Sequence, residues 1–63
     1  MIEYTNICMC FDSGEKGQGY YIDVSDKNNY NSQNVFFTYN EKLAKVIMKK
    51  IAKYDNLKIA NYR

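Results

Sequence analysis

The 63-residue chain contains no histidine, no proline and no tryptophan. Without histidine, it lacks the side chain that most often acts as a general base near neutral pH and that often completes a zinc site. A cysteine nucleophile would also lack its usual base. The absence of proline favours unbroken helices and strands. We therefore predict a folded, non-enzymatic protein with no metal and no cofactor.

Only two cysteines are present, Cys8 and Cys10, and one residue separates them. On a strand, residues at this spacing point to the same face, and their separation suits a disulfide poorly. One chain supplies only two of the four ligands of a structural zinc site, so such a site would need two chains. We expect both residues to be reduced thiols on a strand face.

Long apolar runs are also missing, and none approaches the length that spans a bilayer. The N-terminus, Met1-Ile2-Glu3-Tyr4, lacks the basic start and apolar stretch of a signal peptide. We therefore expect a soluble cytoplasmic protein with no membrane partner. Residue types encoded by A/T-rich codons make up about half of the chain, which indicates a low-GC bacterial or mobile-element gene.

The length predicts a single small domain over residues 1–63 with a marginal core, so a homodimer is an open possibility. Charge is unevenly placed along this domain. Residues 1–40 carry five acidic side chains against two lysines, whereas residues 41–63 carry seven basic side chains against two acidic ones. Such asymmetry favours an acidic partner near the C-terminal third.

Alternation of polar and apolar residues predicts strands at residues 4–11 and 20–24, joined by a hairpin loop longer than two residues. The glycines of that loop do not form a phosphate-binding motif, because Lys16 precedes Gly17 and no Ser or Thr follows. A polar loop is expected at 25–34, and further strands at 34–39 and 57–62.

Between the last two strands, residues 41–54 have the periodicity of an amphipathic helix. Asn40 is the predicted N-cap, and the pattern from Thr38 to Glu41 adds a capping box. The predicted apolar stripe consists of Leu43, Ile47, Ile51 and Tyr54, broadened by Ala44, Val46 and Met48. The order βββαβ predicts an α+β fold, a four-stranded, mostly antiparallel sheet with one helix on one face, in strand order 4-1-2-3.

Seven tyrosines and three phenylalanines exceed what the helix-covered face of such a sheet needs. Exposed aromatics anchor protein interfaces or stack on bases, although cross-strand aromatic pairs also stabilise ordinary sheets. We expect one of two sets to lie on the open face, either Tyr4 and Tyr21 with Phe36, or Tyr20 with Phe37 and Tyr39. The candidate partner-binding aromatics are Tyr4, Tyr21 and Phe36.

Four lysines lie along the helix at spacings of three and four residues, opposite the predicted apolar stripe: Lys42, Lys45, Lys49 and Lys53. They are candidates for contact with an acidic protein surface or with phosphates. A solvated lysine face is the simpler alternative, and Glu41 is spaced for a weak ion pair with Lys45.

Together these features predict a protein-binding module, such as a phage or mobile-element inhibitor or modulator of a larger host protein, for example a nuclease. The basis is the absence of catalytic signatures beside an excess of aromatics and a segregated charge. The alternative is a small nucleic-acid-binding module, in which Tyr21 and Phe36 stack on bases while the helix lysines hold the backbone. A net charge of only +2 counts against that alternative.

Overall fold

The computed structural model describes residues 3–28 and 30–60, which form one sheet of four strands and one helix. The elements are β1 (Asn6–Gly14), β2 (Gly17–Ser25), β3 (Ser32–Thr38), α1 (Glu41–Tyr54) and β4 (Lys58–Ile59). The sheet order is β3-β2-β1-β4, with β4 parallel to β1 and the other pairs antiparallel. The predicted α+β class, element order and strand order are confirmed.

The β1–β2 hairpin is longer, and its loop shorter, than the sequence predicted. Pairing continues from Asn6 opposite Ser25 to Gly14 opposite Gly17, which leaves two residues in the loop. Gly17 has a φ of 98°, a conformation that favours glycine. The prediction of a longer loop was wrong because the polar and glycine residues near the tip extend the ladder.

The core lies between α1 and one face of the sheet. Its buried residues are Ile7, Ile22, Val24, Ala44, Met48 and Ala52. Because two of the three buried helix residues are alanines, the helix meets the sheet along its small side chains. The predicted stripe is therefore wrong in part: Ile47 and Ile51 flank the core, but Leu43 is 44% exposed and Tyr54 90% exposed.

The helix begins and ends with local hydrogen bonds. The Asn40 side chain accepts a bond of 2.9 Å from the Leu43 amide, which confirms the N-cap. The capping box was wrong, since Thr38 belongs to β3 and its hydroxyl accepts from the Asn40 amide. At the other end Asn56 has a φ of 57° and the Leu57 amide bonds to the Ala52 carbonyl, a Schellman-type ending.

Two strand predictions differ from the structure. The strand β3 begins at Ser32, two residues before the predicted start, so the preceding loop is shorter than residues 25–34. A β-bulge interrupts it: Phe36 lies opposite Ile22 and Asn34 opposite Asp23, which leaves Val35 as the extra residue. The strand β4 has only two residues, and the predicted Tyr62 position lies outside the described residues. No helix in the described part is long and apolar enough to cross a membrane.

Candidate protein-binding surfaces

The sheet face opposite α1, here called the outer face, carries a cluster of three aromatic side chains: Tyr21, Phe37 and Tyr39. The ring centroids of Tyr21 and Phe37 are 4.6 Å apart, and those of Phe37 and Tyr39 are 4.9 Å apart. Because Phe37 pairs with Tyr21 and Phe36 with Ile22, the predicted grouping of Tyr21 with Phe36 was wrong. Phe36 instead packs against the core.

The hydroxyls of this cluster hold the hairpin tip. The Tyr21 hydroxyl donates to the Gly17 carbonyl at 2.6 Å and accepts from the amides of Gly14 and Lys16 at 2.9 and 3.2 Å. The Tyr39 hydroxyl donates to the Lys16 carbonyl at 3.1 Å. The Tyr21 hydroxyl makes all three of its hydrogen bonds to the hairpin backbone. Tyr21 therefore stabilises the hairpin, and its hydroxyl has no further hydrogen bond to give to a partner.

Two glycines make room for these rings. A Cβ at Gly14 would lie 2.7 Å from the Tyr21 hydroxyl oxygen, and a Cβ at Gly19 would lie 2.8 Å from the Phe37 ring. Both distances are shorter than normal van der Waals contact. The glycines predicted as turn residues therefore also allow the aromatic rings to pack closely against the backbone. The sequence Gly-Gln-Gly-Tyr-Tyr does not predict this packing unless the strand register is known.

Beside the cluster, the outer face is acidic. A depression of about 300 Å³ is lined by Cys10, Asp12, Asp23 and Asn34 among others, and the Asn34 side chain donates to Asp23 at 3.0 Å. Burial raises the pKa of the Cys10 thiol, and nearby Asp23, Cys8 and Asp12 raise it further. Within the described residues, no group of three or more His, Cys, Asp or Glu residues is placed to hold a metal ion.

The solvent side of α1 carries the predicted lysines, all of them exposed: Lys42, Lys45, Lys49 and Lys53. Lys45 lies 3.5 Å from Glu41, the weak pair expected from their spacing. One apolar side chain that the sequence assigned to the buried stripe, Val46, lies beside these lysines. Val46 is 47% exposed, and it neighbours both Lys42 and Lys49 on the helix surface.

Leu43, Val46, Lys50 and Tyr54 follow one another at three- and four-residue steps, so they form one track along α1. The aliphatic stem of Lys50 can bridge the gap between Val46 and Tyr54. We call this track and the four predicted lysines the α1 outer surface. The track was not predicted from the sequence, because the periodicity defines one wide apolar stripe and does not indicate which part of that stripe packs against the sheet.

Tyr4 lies in a third place, a groove of about 820 Å³ between the end of α1 and the sheet. We call it the α1–β3 groove; its lining residues are Glu3, Tyr4, Val24, Gln33, Val35, Ile51, Asp55 and Leu57. The Tyr4 hydroxyl donates a long bond of 3.4 Å to Gln33. An adjoining depression shares Ile51 and Asp55 with this groove and is otherwise lined by Lys50, Lys53 and Tyr54.

The structure therefore does not bring the predicted binding residues into one site. Tyr21 is on the outer face, Phe36 beside the core, Tyr4 in the α1–β3 groove, and the lysines on α1. The lysines and the outer-face cluster lie on opposite sides of the sheet.

The free edge of β3 is uncharged, the feature expected of a strand that pairs with a second chain. Its bulge at Val35 is one of the devices that blunt such edges. The homodimer stays a prediction, and the bulge argues against this edge as its contact. Sedimentation equilibrium, with the monomer at 7.5 kDa, would measure it.

The chain matches no protein-family model, no curated protein and no solved structure. We therefore infer function from these surfaces and from the composition of the chain.

Proposed function

We propose that this chain is a non-enzymatic protein-binding module that docks the α1 outer surface onto an acidic surface of a larger protein. The observation that carries the proposal is the exposed apolar track beside the four lysines on α1. Leu43 and Val46 are 44% and 47% exposed, although the domain is small and has few apolar side chains to spare.

The composition of this surface favours a protein partner over a nucleic-acid partner. Amphipathic helices bind protein grooves through apolar anchors at spacings of three, four and seven residues, and Leu43 and Val46 in the track are three residues apart. Contiguous exposed apolar residues more often mark protein contacts, while surrounding charges chiefly increase the association rate. Lysines that held only phosphates would need no apolar track beside them.

The nucleic-acid alternative gains less support from the geometry. It requires stacking aromatics and phosphate-binding lysines on one continuous surface. Tyr21 and Phe36 lie on opposite faces of the sheet, and the acids Asp12 and Asp23 line the depression beside Tyr21. A nucleic acid stacked on the outer face would meet these carboxylates and not the helix lysines.

The codon-linked composition and the small size support a further part of the proposal. The chain is the product of a phage or mobile element that inhibits or modulates a larger protein of a low-GC bacterial host, such as a nuclease, in the cytoplasm.

Affinity capture from lysate of a low-GC bacterium tests the proposal with three forms of the tagged chain. We expect the native chain to retain a stoichiometric protein. The Val46→Glu variant should not retain the protein, because its carboxylate would be buried at the interface in place of an apolar anchor. The control Tyr30→Ala should retain it, since Tyr30 is 86% exposed and lies in the β2–β3 loop. Circular dichroism checks that all three are folded.

Reversal of Lys42, Lys45, Lys49 and Lys53 to Glu tests the acidic partner. We expect much slower association, with the domain still folded, because none of the four is buried. The proposal fails if no stoichiometric protein is recovered or if Val46→Glu binds it as the native chain does. A salt-sensitive mobility shift with DNA or RNA, lost on lysine reversal, would favour the nucleic-acid alternative.

A further inference from the structure

We propose that the α1–β3 groove is a second binding site, which takes an extended protein segment carrying a basic side chain between apolar ones. This site adjoins the α1 outer surface, shares none of its residues and is opposite to it in charge. A partner that occupies both would present an acidic surface to the helix and a basic segment to the groove.

The size and lining of the groove fit a short stretch of polypeptide. Its volume of about 820 Å³ is within the range of ligand-binding clefts. The walls come from five parts of the chain: the segment before β1, the strand β2, the strand β3, the end of α1 and the residue Leu57. A cleft that crosses several elements and stays open to solvent suits a chain lying along it better than a compact small molecule.

The floor is apolar and partly exposed. Val24 and Leu57 contribute aliphatic surface, and Val35 is 41% exposed because the bulge makes it an extra residue of β3. Ile51 flanks the core and also lines the groove. Apolar side chains of an incoming segment would bury this surface, which otherwise faces water.

The charge of the groove selects a basic segment. Among the described residues that line the groove, Glu3 and Asp55 are the only ones with a formal charge at neutral pH, and both are exposed. Neither makes an ion pair within the described residues. Asp55 is also the C-cap of α1, and the C-terminal end of a helix attracts cations. Asp55 and the C-terminal end of α1 therefore place negative potential at the same part of the groove, and Glu3 adds a second carboxylate to the lining.

Hydrogen-bonding groups for a backbone are present as well. The only bond of the Gln33 side chain within the described part is the long one that it accepts from Tyr4. Its amide nitrogen can donate to the carbonyl of a bound segment, and its position on the edge strand β3 places it beside a chain lying in the groove.

Titration of the isotopically labelled full chain with three capped tripeptides tests the proposal by NMR. The probes are acetyl-Leu-Arg-Leu-amide and its Gln and Glu counterparts. We expect the Arg peptide to shift the amide signals of Val35, Ile51 and Leu57 in a saturable manner. The Gln peptide should bind more weakly, and the Glu peptide should leave these signals in place.

Two variants separate the groove from the rest of the surface. Glu3→Gln combined with Asp55→Asn should lower the affinity for the Arg peptide by roughly tenfold, the scale of two exposed ion pairs. The matched pair Asp12→Asn with Glu15→Gln removes the same charge at the other end of the hairpin and should not change binding. Val46→Glu, which removes the anchor of the α1 outer surface, should also leave it unchanged.

The proposal is overturned if the Arg and Glu peptides bind equally, or if neither gives a saturable shift. It is also overturned if the groove signals move with protein concentration in the absence of peptide, because the occupant would then be a second copy of the chain. Peptide binding that survives in the Val46→Glu variant would support the groove even if the lysate captures no partner.

Discussion

The Tyr21 hydroxyl donates a hydrogen bond of 2.6 Å to the carbonyl of Gly17, four residues earlier in the same strand. The same oxygen accepts from two further backbone amides across the hairpin loop. One side chain therefore satisfies three polar groups at the tip of a hairpin that projects beyond the helix-covered core. Tyr21, predicted as a partner-binding residue, has a structural role that is independent of any partner.

Tyr21→Phe should lower the free energy of unfolding by about 1 to 2 kcal/mol, because it removes those three bonds while keeping the ring. Tyr39→Phe removes a single bond and should cost less. Chemical denaturation gives both values. Tyr30→Phe is the control, since Tyr30 is 86% exposed. Equal stability of Tyr21→Phe and this control would show that water replaces the lost hydroxyl without cost.

Gly19→Ala should destabilise the domain by about 1 to 3 kcal/mol, the usual cost of overpacking. The added Cβ would lie 2.8 Å from the Phe37 ring and 3.1 Å from the Thr38 carbonyl. Most of this cost should disappear in a Phe37→Ala background, because the ring is the closer neighbour. A double-mutant cycle measures that coupling. Additive effects of the two substitutions would contradict the close packing of Gly19 against the Phe37 ring.

The order of elements was predictable from sequence because it depends on local signals that tertiary packing did not override. The period of two in β1 and β2, the period of 3.6 in α1 and the Asn40 cap each act over a few residues. The right-handed crossover through α1 left both β1 and β3 as possible parallel neighbours of β4, and the structure places β4 beside β1. The local signals therefore determine which segments are strands or helix, whereas the position of β4 depends on which strand it pairs with.

The faces of two elements were not predictable, for different physical reasons. The bulge at Val35 shifts the alternation of β3 by one residue, and nothing in its sequence marks the position. On α1, both Ala44 and Leu43 fit a wide apolar stripe, and the close approach of helix and sheet selects Ala44. Since the candidate binding surfaces depend on these two choices, the sequence yields candidate binding residues but does not predict how they are grouped.

Cys10 should react with iodoacetamide more slowly in the native chain than in urea. Burial, then Asp23, Cys8 and Asp12, raise the pKa of its thiol, so less thiolate is present at mildly alkaline pH. Asp23→Asn removes a negative charge, lowers that pKa and should increase the rate. Intact-mass spectrometry follows the reaction, with Cys10→Ser to assign it. An unchanged rate in Asp23→Asn, relative to the control Glu3→Gln, whose carboxylate is not among the groups that raise this pKa, would exclude this electrostatic cause.

The loop between β2 and β3 should lose stability in acid through Asp26. The Asp26 carboxylate accepts from the Asn31 side chain and the Tyr30 amide, each at 2.9 Å. The hydrogen bond from the Asn31 side chain is the largest cause of the lowered pKa of Asp26, and bonds from neighbouring backbone amides lower it further. Because these bonds favour the charged form, the carboxylate is held ionised below its ordinary range.

A lowered pKa in the folded state means that Asp26 contributes stability above its ordinary pKa of about 3.9. That contribution is lost as the pH falls from this value through the lower folded pKa. The Tyr30 amide signal, followed by NMR against pH, should therefore move with a midpoint below the ordinary aspartate value. Asp26→Ala should remove the transition and destabilise the chain near neutral pH, with a smaller effect below the folded pKa.

The control is Glu15→Ala, at the exposed hairpin tip, which should leave the pH-dependent movement of the Tyr30 amide signal unchanged. A midpoint at or above the ordinary value would mean that the bonds to Asn31 and Tyr30 do not hold the charged form in solution.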